Sequence, residues 1–299
     1  MNKVDSYRDF ATVYDTFMDE TPYEQWCEYI QQVITKYGIS KPRLQGDEEQ
    51  ELSCYNAVDT QETQDKKCEQ ETRENALRSE RDLVLDLGCG TGTLTEMLAE
   101  KGYDMIGVDL SAEMLAIAMG KRQQAESGTL YLCQDMRDFE LYSTVGTVLS
   151  VCDSVNYLLD EEDVLQTFQL VNNYLYPGGI FLFDFNTVYK YEQVIGDTTI
   201  AESREDCSFI WENFYDPEEQ LNEYDLTIFV KTDAGDEEPL FRRFQETHVQ
   251  RGYTLEQMSR LVKEAGMEVV FAIDADTHDK VTAESERIYI LAKEVRKHE

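Results

Sequence analysis

Apolar side chains follow two spacings along this chain, and the two alternate through its middle part. Five short apolar runs typical of buried strands lie at 83–87, 105–108, 130–133, 147–152 and 180–185. Between them, apolar residues recur at every third or fourth position, as they do on one face of a helix. Strands that alternate with helices in this way predict a doubly wound α/β sheet.

A helical pattern precedes this core. Aromatic residues share one face of the first predicted helix, at Tyr7, Phe10, Tyr14 and Phe17. A second helix is predicted to begin with a capping box formed by Thr21 and Glu24, and to end at Gly38. We expect these helices to pack on the core as an N-terminal cap.

The pattern changes to a period of two between residues 200 and 250. Short alternating runs, broken at 216–217 and at 233–239, predict antiparallel strands joined by hairpins. The chain then returns to the core pattern. The last predicted elements are a helix that opens with a Thr254–Gln257 capping box and two strands at 268–273 and 287–292.

The stretch L-V-L-D-L-G-C-G-T-G-T, which starts at residue 83, predicts a strand, a tight glycine loop and a helix. Glycines at 88, 90 and 92 let the loop pass close to a ligand, because they carry no Cβ. A dinucleotide fingerprint would need glycine at position 93, which is Thr, and no phosphate-loop motif is present. Asp86 would repel a pyrophosphate, so its carboxylate favours a ligand that carries an ammonium or a sulfonium.

Asp86, Gly88, Gly90 and Gly92 match the D-x-G-x-G-x-G motif of the class I S-adenosylmethionine-dependent methyltransferases, which this chain resembles over residues 5–40 and 81–299. The resemblance implies a seven-stranded Rossmann-like methyltransferase sheet with an N-terminal helical cap and a small antiparallel β lid. It implies S-adenosylmethionine as the cofactor and no metal. The lid resembles that of amino-sugar N,N-dimethyltransferases and related small-molecule enzymes.

Two acids at strand ends extend the expected cofactor site. Asp109 follows a strand about 20 residues after the glycine loop, where an acid can accept both ribose hydroxyls. Met114, one helical turn further, packs either on the adenine or in the core. The stretch Q-D-M-R-D-F matches the family pattern in which an acid, here Asp135, accepts from the adenine amino group. The residues expected to hold the cofactor are Asp86, Gly88, Cys89, Gly90, Gly92, Asp109, Leu110, Met114, Asp135, Met136 and Cys152.

Three polar residues are candidates to surround the methyl acceptor: Tyr14, Tyr157 and His248. Tyr157 lies where some amino-sugar dimethylating enzymes carry a His base, so their mechanism does not transfer directly. Histidine side chains can exchange protons near neutral pH, so His248 is either a base or a hydrogen-bonded lid histidine. The V-C-D-S-V-N-Y stretch lacks the proline pair of N6-adenine nucleic-acid enzymes, which favours a small acceptor.

Composition narrows the classes of partner. The net charge of −34 repels phosphate backbones and anionic lipids, and so argues against nucleic acid and membrane partners. No apolar run reaches membrane-spanning length and no signal-peptide core is present, which predicts a cytoplasmic protein. The seven cysteines show no metal-binding spacing and are expected to be free thiols.

These patterns divide the chain into five parts. We expect a helical cap at 1–43, an exposed acidic insertion at 44–80, a cofactor-binding core at 81–199, a β lid at 200–250 and a return to the core at 251–299. The expected activity is methyl transfer to a small-molecule nucleophile, with an amine nitrogen as the expected acceptor. The alternatives are a protein or nucleic-acid methyltransferase and a non-catalytic S-adenosylmethionine-binding regulator that uses the insertion as a docking arm. The insertion itself is either a docking segment or a plain solvated loop.

Overall fold

Two β-sheets carry the fold. The computed structural model describes residues 10–43, 80–232, 239–295 and 297, so the expected insertion lies outside the described residues except for Glu80, and Tyr7 lies outside them too. In chain order the strands are β1 (Leu83–Leu87), β2 (Asp104–Asp109), β3 (Leu130–Cys133), β4 (Val145–Ser150), β5 (Leu175–Asn186), β6 (Thr199–Ser203), β7 (Cys207–Asp216), β8 (Leu221–Thr232), β9 (Leu240–Arg251), β10 (Met267–Asp274) and β11 (Arg287–Glu294).

The larger sheet has seven strands in the order β10-β11-β5-β4-β1-β2-β3. β11 runs antiparallel to both of its neighbours, and the other neighbouring pairs are parallel. The chain leaves β1 in one direction to form β2 and β3, and in the other to form β4 and β5. The strand order therefore reverses between β1 and β4, and ligands of such sheets bind at the carboxyl ends of the strands at this point. The predicted doubly wound sheet is confirmed.

Six α-helices accompany the sheets in the described part of the chain: α1 (Ala11–Phe17), α2 (Tyr23–Tyr37), α3 (Thr93–Glu100), α4 (Ala112–Ala125), α5 (Glu161–Tyr174) and α6 (Leu255–Glu264). The Ser111 hydroxyl caps α4, and Thr254 and Gln257 form the predicted capping box of α6. The predicted capping box of α2 is wrong, because α2 begins at Tyr23 without a side-chain cap and the Thr21 hydroxyl instead donates to the sulfur of Met18. None of the described helices combines the length and apolarity that crossing a bilayer requires.

The core fills both faces of the larger sheet with apolar side chains. On one face, β5 contributes alternate phenylalanines, and the Phe181 and Phe183 rings lie 5.3 and 4.9 Å from that of Phe168 in α5. On the other face, α2 and α3 bury residues such as Ile30, Ile34 and Leu98. β4 is buried at every position and β5 is buried from Gly179 to Asn186, as expected of strands covered on both faces.

The second sheet, here called the lid sheet, consists of β6 to β9 in sequence order, all antiparallel. Its inner face packs on α1, where the Phe17 ring meets that of Phe209 edge-on at 4.8 Å. Val13 of α1 is buried against Leu226 and Ile228 of the same face. The lid sheet and α1 therefore cover the carboxyl ends of the central strands together.

Candidate active site

The loop after β1 carries three glycines whose backbones all lie in the left-handed region, with φ of +83° at Gly88, +55° at Gly90 and +72° at Gly92. A Cβ at Gly88 would lie 2.5 Å from the Ser154 hydroxyl, and one at Gly92 would lie 2.4 Å from the Tyr131 hydroxyl. A Cβ at Gly90 would meet no heavy atom within 4 Å. The outer two glycines thus permit close packing, whereas Gly90 borders open space, where we expect the ligand.

Asp109, at the end of β2, is tied to this loop. Its carboxylate accepts hydrogen bonds from the backbone N–H groups of Gly90 and Ser111, both at 2.8 Å. Burial raises the pKa of the Asp109 carboxyl. The apolar side chain of Leu110 beside it is 55% exposed. A carboxylate next to an uncovered apolar side chain suits a ribose joined to an aromatic base, so the predicted roles of Asp109 and Leu110 fit this surface.

Asp86 and Cys89 lie beneath the loop rather than at its surface. Asp86 is buried, accepts a hydrogen bond from the Thr95 hydroxyl at 2.6 Å and thereby joins β1 to α3. Burial raises the pKa of the Asp86 carboxyl to about 6. The Cys89 backbone N–H donates to the Val108 carbonyl at 3.0 Å, and burial raises the pKa of its thiol. Direct contact of either side chain with a ligand stays a prediction.

Asp135 follows β3, and its carboxylate is held by Arg137. The guanidinium donates to both Asp135 oxygens, at 3.0 and 2.7 Å, and also to Asp163 at 2.9 Å. This clamp orients the carboxylate that we expect to face the adenine amino group. Met136 packs partly buried against the main core, and Met114 is buried in α4. Their adenine contacts stay predictions.

The cap reaches the glycine loop through Asp15 of α1, a residue that sequence reasoning did not assign. The Thr91 hydroxyl donates to Asp15 at 2.7 Å, and the Lys121 ammonium of α4 pairs with the same carboxylate at 2.7 Å. Asp15 directly follows Tyr14, a candidate acceptor residue on the predicted aromatic helix, and this position was the available sequence signal. Tyr14, the preceding residue, hydrogen-bonds the side chain of Tyr23.

The turn after β4 is held in an uncommon conformation. Cys152 and Asp153 have φ of +62° and +53°, and their backbone N–H groups donate to the two carboxylate oxygens of Asp184 at 3.1 and 2.7 Å. Burial raises the pKa of Asp184 to about 6, while Arg287 opposes the shift from 3.6 Å. Two successive non-glycine residues in this region are rare, and such strain concentrates at functional sites.

The lid sheet aligns a row of polar side chains above this turn. The Tyr157 hydroxyl lies 3.2 Å from Nδ1 of His248 and 2.8 Å from the Tyr224 hydroxyl, and Nε2 of His248 lies 3.3 Å from a carboxylate oxygen of Glu246. The Tyr224 and His248 rings stack in parallel at 5.0 Å. His248 is 1% exposed, so the row is enclosed.

Of the three expected acceptor residues, the structure thus brings Tyr157 and His248 together and places Tyr14 beside Tyr23. Sequence reasoning missed Glu246, Tyr224 and Asp184. Glu246 and Tyr224 lie in the stretch with a period of two, and this period places Glu246 on the face of β9 that carries His248. Asp184 had a sequence signal as the acid within the apolar run of β5.

Comparisons with known proteins agree with this geometry. A family model described as a methyltransferase domain matches residues 84–179, from β1 to the start of β5. Over 289 residues the chain is 33% identical to a putative methyltransferase of Geobacillus sp. strain WCH70, an alignment that covers 96% of this chain and 99% of that protein. A dTDP-3-amino-3,4,6-trideoxy-alpha-D-glucopyranose N,N-dimethyltransferase of Streptomyces venezuelae is 36% identical over 97 residues, 32% of this chain and 39% of that enzyme.

Among solved structures, the chain is similar to an S-adenosylmethionine-dependent methyltransferase from Clostridium acetobutylicum ATCC 824. The two are 27% identical with a TM-score of 0.74, and the match covers 97% of this chain and 99% of that one. The similarity therefore includes the lid sheet and the cap as well as the glycine loop.

Proposed function

Because this chain belongs to the family of S-adenosylmethionine-dependent methyltransferases, we propose that it methylates a small molecule and that the accepting atom is an amine nitrogen. S-adenosylmethionine supplies a methyl group on a positively charged sulfur. The residues that would hold it are the glycine loop around Gly90, the acids Asp109 and Asp135, and the turn at Cys152. The open space at Gly90 fits this group.

The enclosed polar row on the lid sheet is the observation that carries the proposal. Glu246, His248 and Tyr224 are all less than a tenth exposed, although they face the strand ends where ligands of this fold bind. An acceptor that reaches them must fit between the lid sheet and the core, which favours a small molecule over a folded protein or a duplex. The net charge of −34 disfavours nucleic acid for an independent reason.

The row has a chemistry suited to an amine. A carboxylate only accepts hydrogen bonds, so Nε2 of His248 carries the proton that it donates to Glu246, and Nδ1 accepts from the Tyr157 hydroxyl. The Tyr157 oxygen can then accept an N–H of the acceptor and orient the nitrogen lone pair. After transfer, the surplus proton on nitrogen passes to the Tyr157 oxygen as the tyrosine proton moves to His248, and Glu246 stabilises the resulting imidazolium.

The amino-sugar N,N-dimethyltransferase from Streptomyces venezuelae lends support to nitrogen as the accepting atom. Its similarity to this chain is confined to about a third of either protein, so it supports the reaction class and leaves the acceptor open. This chain also has Tyr157 paired to a lid histidine where those enzymes are expected to carry the base itself. The sugar is therefore no part of the proposal.

The test is methyl transfer from labelled S-adenosylmethionine into a small-metabolite extract, compared with tRNA, DNA and intact protein. We expect label in small amines. His248→Ala should lower turnover by roughly 100-fold, the usual contribution of a general base, and Tyr157→Phe should lower it as well. Both variants should bind S-adenosylhomocysteine with unchanged affinity.

Tyr142→Phe is the matched control, because Tyr142 is 99% exposed, and it should keep full turnover. Efficient labelling of a macromolecule with none in the metabolite pool would overturn the proposal. So would a His248→Ala variant that turns over as fast as the unmodified protein.

A further inference from the structure

Asp153 occupies the strained turn after β4, between the glycine loop and the lid sheet. The next residue, Ser154, donates its hydroxyl proton to the Gly88 carbonyl at 3.2 Å. On the other side, the Gln250 amide of β9 donates to Oδ2 of Asp153 at 2.6 Å. The Asp153 carboxylate thus lies where the expected methyl donor and the covered acceptor space meet.

The second oxygen of this carboxylate has no partner in the described part of the chain. Oδ1 of Asp153 accepts no hydrogen bond from a described residue, and the side chain is only half-buried. The nearby cations are engaged elsewhere, since Lys190 donates to the Asn186 side chain at 3.0 Å and Arg287 pairs with Asp184 and Asp276. Among the described residues, no cation lies within ion-pair distance of Asp153.

Hydrogen bonds from neighbouring residues fix the position of the Asp153 carboxylate. Asp184 fixes the backbone of Asp153 through its N–H, and Gln250 is itself fixed by the Tyr191 hydroxyl at 2.8 Å. Burial raises the pKa of the Asp153 carboxyl, while the charges of Lys190 and Arg287 oppose this shift. A cation or an N–H donor bound at Oδ1 would restore the missing partner.

We infer that Asp153 recognises the nitrogen of the methyl acceptor through Oδ1, which makes a neutral amine with at least one N–H the preferred substrate class. The inference rests on the proposed function and adds a residue that binds the accepting nitrogen. A neutral amine donates one N–H to Oδ1 and keeps its lone pair for attack. The nitrogen forms its bond to the methyl carbon as the carbon–sulfur bond breaks, and the released electron pair stays on sulfur.

Positive charge therefore passes from sulfur to nitrogen during transfer. A carboxylate fixed next to the nitrogen stabilises the charge that develops there, because its orientation is set before the reaction. The row at Tyr157 and His248 then removes the surplus proton, so the two groups divide recognition and deprotonation between them.

Binding of two cofactor analogues tests the inference without a known acceptor. In sinefungin a primary amine on carbon replaces the sulfonium methyl, and S-adenosylhomocysteine lacks that methyl. Calorimetry should show that the unmodified protein prefers sinefungin. Asp153→Asn should reduce this preference by at least about tenfold, the value of a hydrogen bond to a charged group, and leave S-adenosylhomocysteine affinity unchanged. Asparagine keeps the acceptor for Gln250 and tolerates the left-handed backbone, so the fold should be retained.

Two variants serve as controls. Asp160→Asn removes the same charge from an exposed residue nearby, and Gln250→Ala removes the lid hydrogen bond but keeps the carboxylate. Asp160→Asn should retain the full preference for sinefungin. Gln250→Ala should retain most of it, because the carboxylate keeps its charge and Asp184 still fixes the backbone of Asp153. An equal loss of affinity for both analogues in Asp153→Asn would mean that Asp153 binds the amino-acid part of the cofactor. An unchanged ratio of the two affinities would mean that Asp153 faces no amine. Either result, or a Gln250→Ala variant that behaves like Asp153→Asn, overturns the inference.

The proposed function is tested separately, because the labelling experiment depends on which molecules accept the methyl group and not on the affinity for either analogue. If the preference for sinefungin depends on Asp153 but only macromolecules are labelled, the proposed function is wrong and the amine site at Asp153 is supported. If small amines are labelled but Asp153→Asn leaves the ratio of the two analogue affinities unchanged, the proposed function stands and the inference about Asp153 is wrong.

Discussion

Replacing Gly90 by alanine separates ligand binding from folding. The position has φ of +55°, and a Cβ there meets no heavy atom within 4 Å. The substitution should lower the free energy of unfolding only by the cost of a left-handed backbone at a non-glycine residue, roughly 1–2 kcal/mol. In a large domain each kcal/mol lowers Tm by about 2–4 °C. The new methyl would stand in the open space beside Asp109. We therefore expect affinity for S-adenosylhomocysteine to fall by more than about tenfold, or roughly 1.4 kcal/mol.

Calorimetry with S-adenosylhomocysteine and thermal unfolding of the same samples would measure the two effects. Gly120→Ala is the matched control, since Gly120 lies in α4 with open space at its Cβ and no positive φ. It should gain about 0.5–1 kcal/mol of stability as a helical glycine replaced by alanine, and its affinity should not change. A Gly90→Ala variant with the expected drop in Tm but full affinity would refute the placement of the ligand at Gly90.

Two further predictions concern the buried acids of the cofactor site. Asp109→Ala should weaken S-adenosylmethionine binding by about 1–3 kcal/mol, because polar partners of the carboxylate are left unpaired, and unchanged affinity by calorimetry would remove the ribose assignment. Asp86→Asn should make stability less dependent on pH. With a folded pKa of about 6, above the unfolded value, Asp86 favours the folded state at low pH and loses that contribution as pH rises through about 6. Relative to the variant, the unmodified protein should lose about 2 kcal/mol between ~pH 4 and ~pH 7.

Chemical denaturation at several pH values would measure the Asp86 effect. Asparagine retains an acceptor for the Thr95 hydroxyl, so the comparison isolates the charge. A constant stability difference across that range would show that Asp86 does not titrate there.

Local pattern was enough to predict the elements and their order in the described part of the chain. β1, β3 and the capped helix α6 begin where the sequence predicted, because periodicity and caps depend on residues within a few positions of one another. The boundary between α5 and β5 was less well predicted. The strand begins at Leu175, ahead of the apolar run at 180–185 that the sequence predicted, because pairing with Val145 extends it.

The residues expected to hold the cofactor could be proposed from the sequence, since one glycine loop and the acids that follow β2 and β3 supply them in chain order. The arrangement of the acceptor half could not. Its key contacts join residues far apart in the chain: Tyr157 with His248, Asp153 with Gln250, and Cys152 with Asp184. No local spacing encodes such pairs, because they exist only after the lid sheet has packed over the strand ends. The sequence by itself determined a methyltransferase core with a polar lid; the tertiary structure decided which side chains meet, since hydrogen bonds need atoms within about 3 Å of each other.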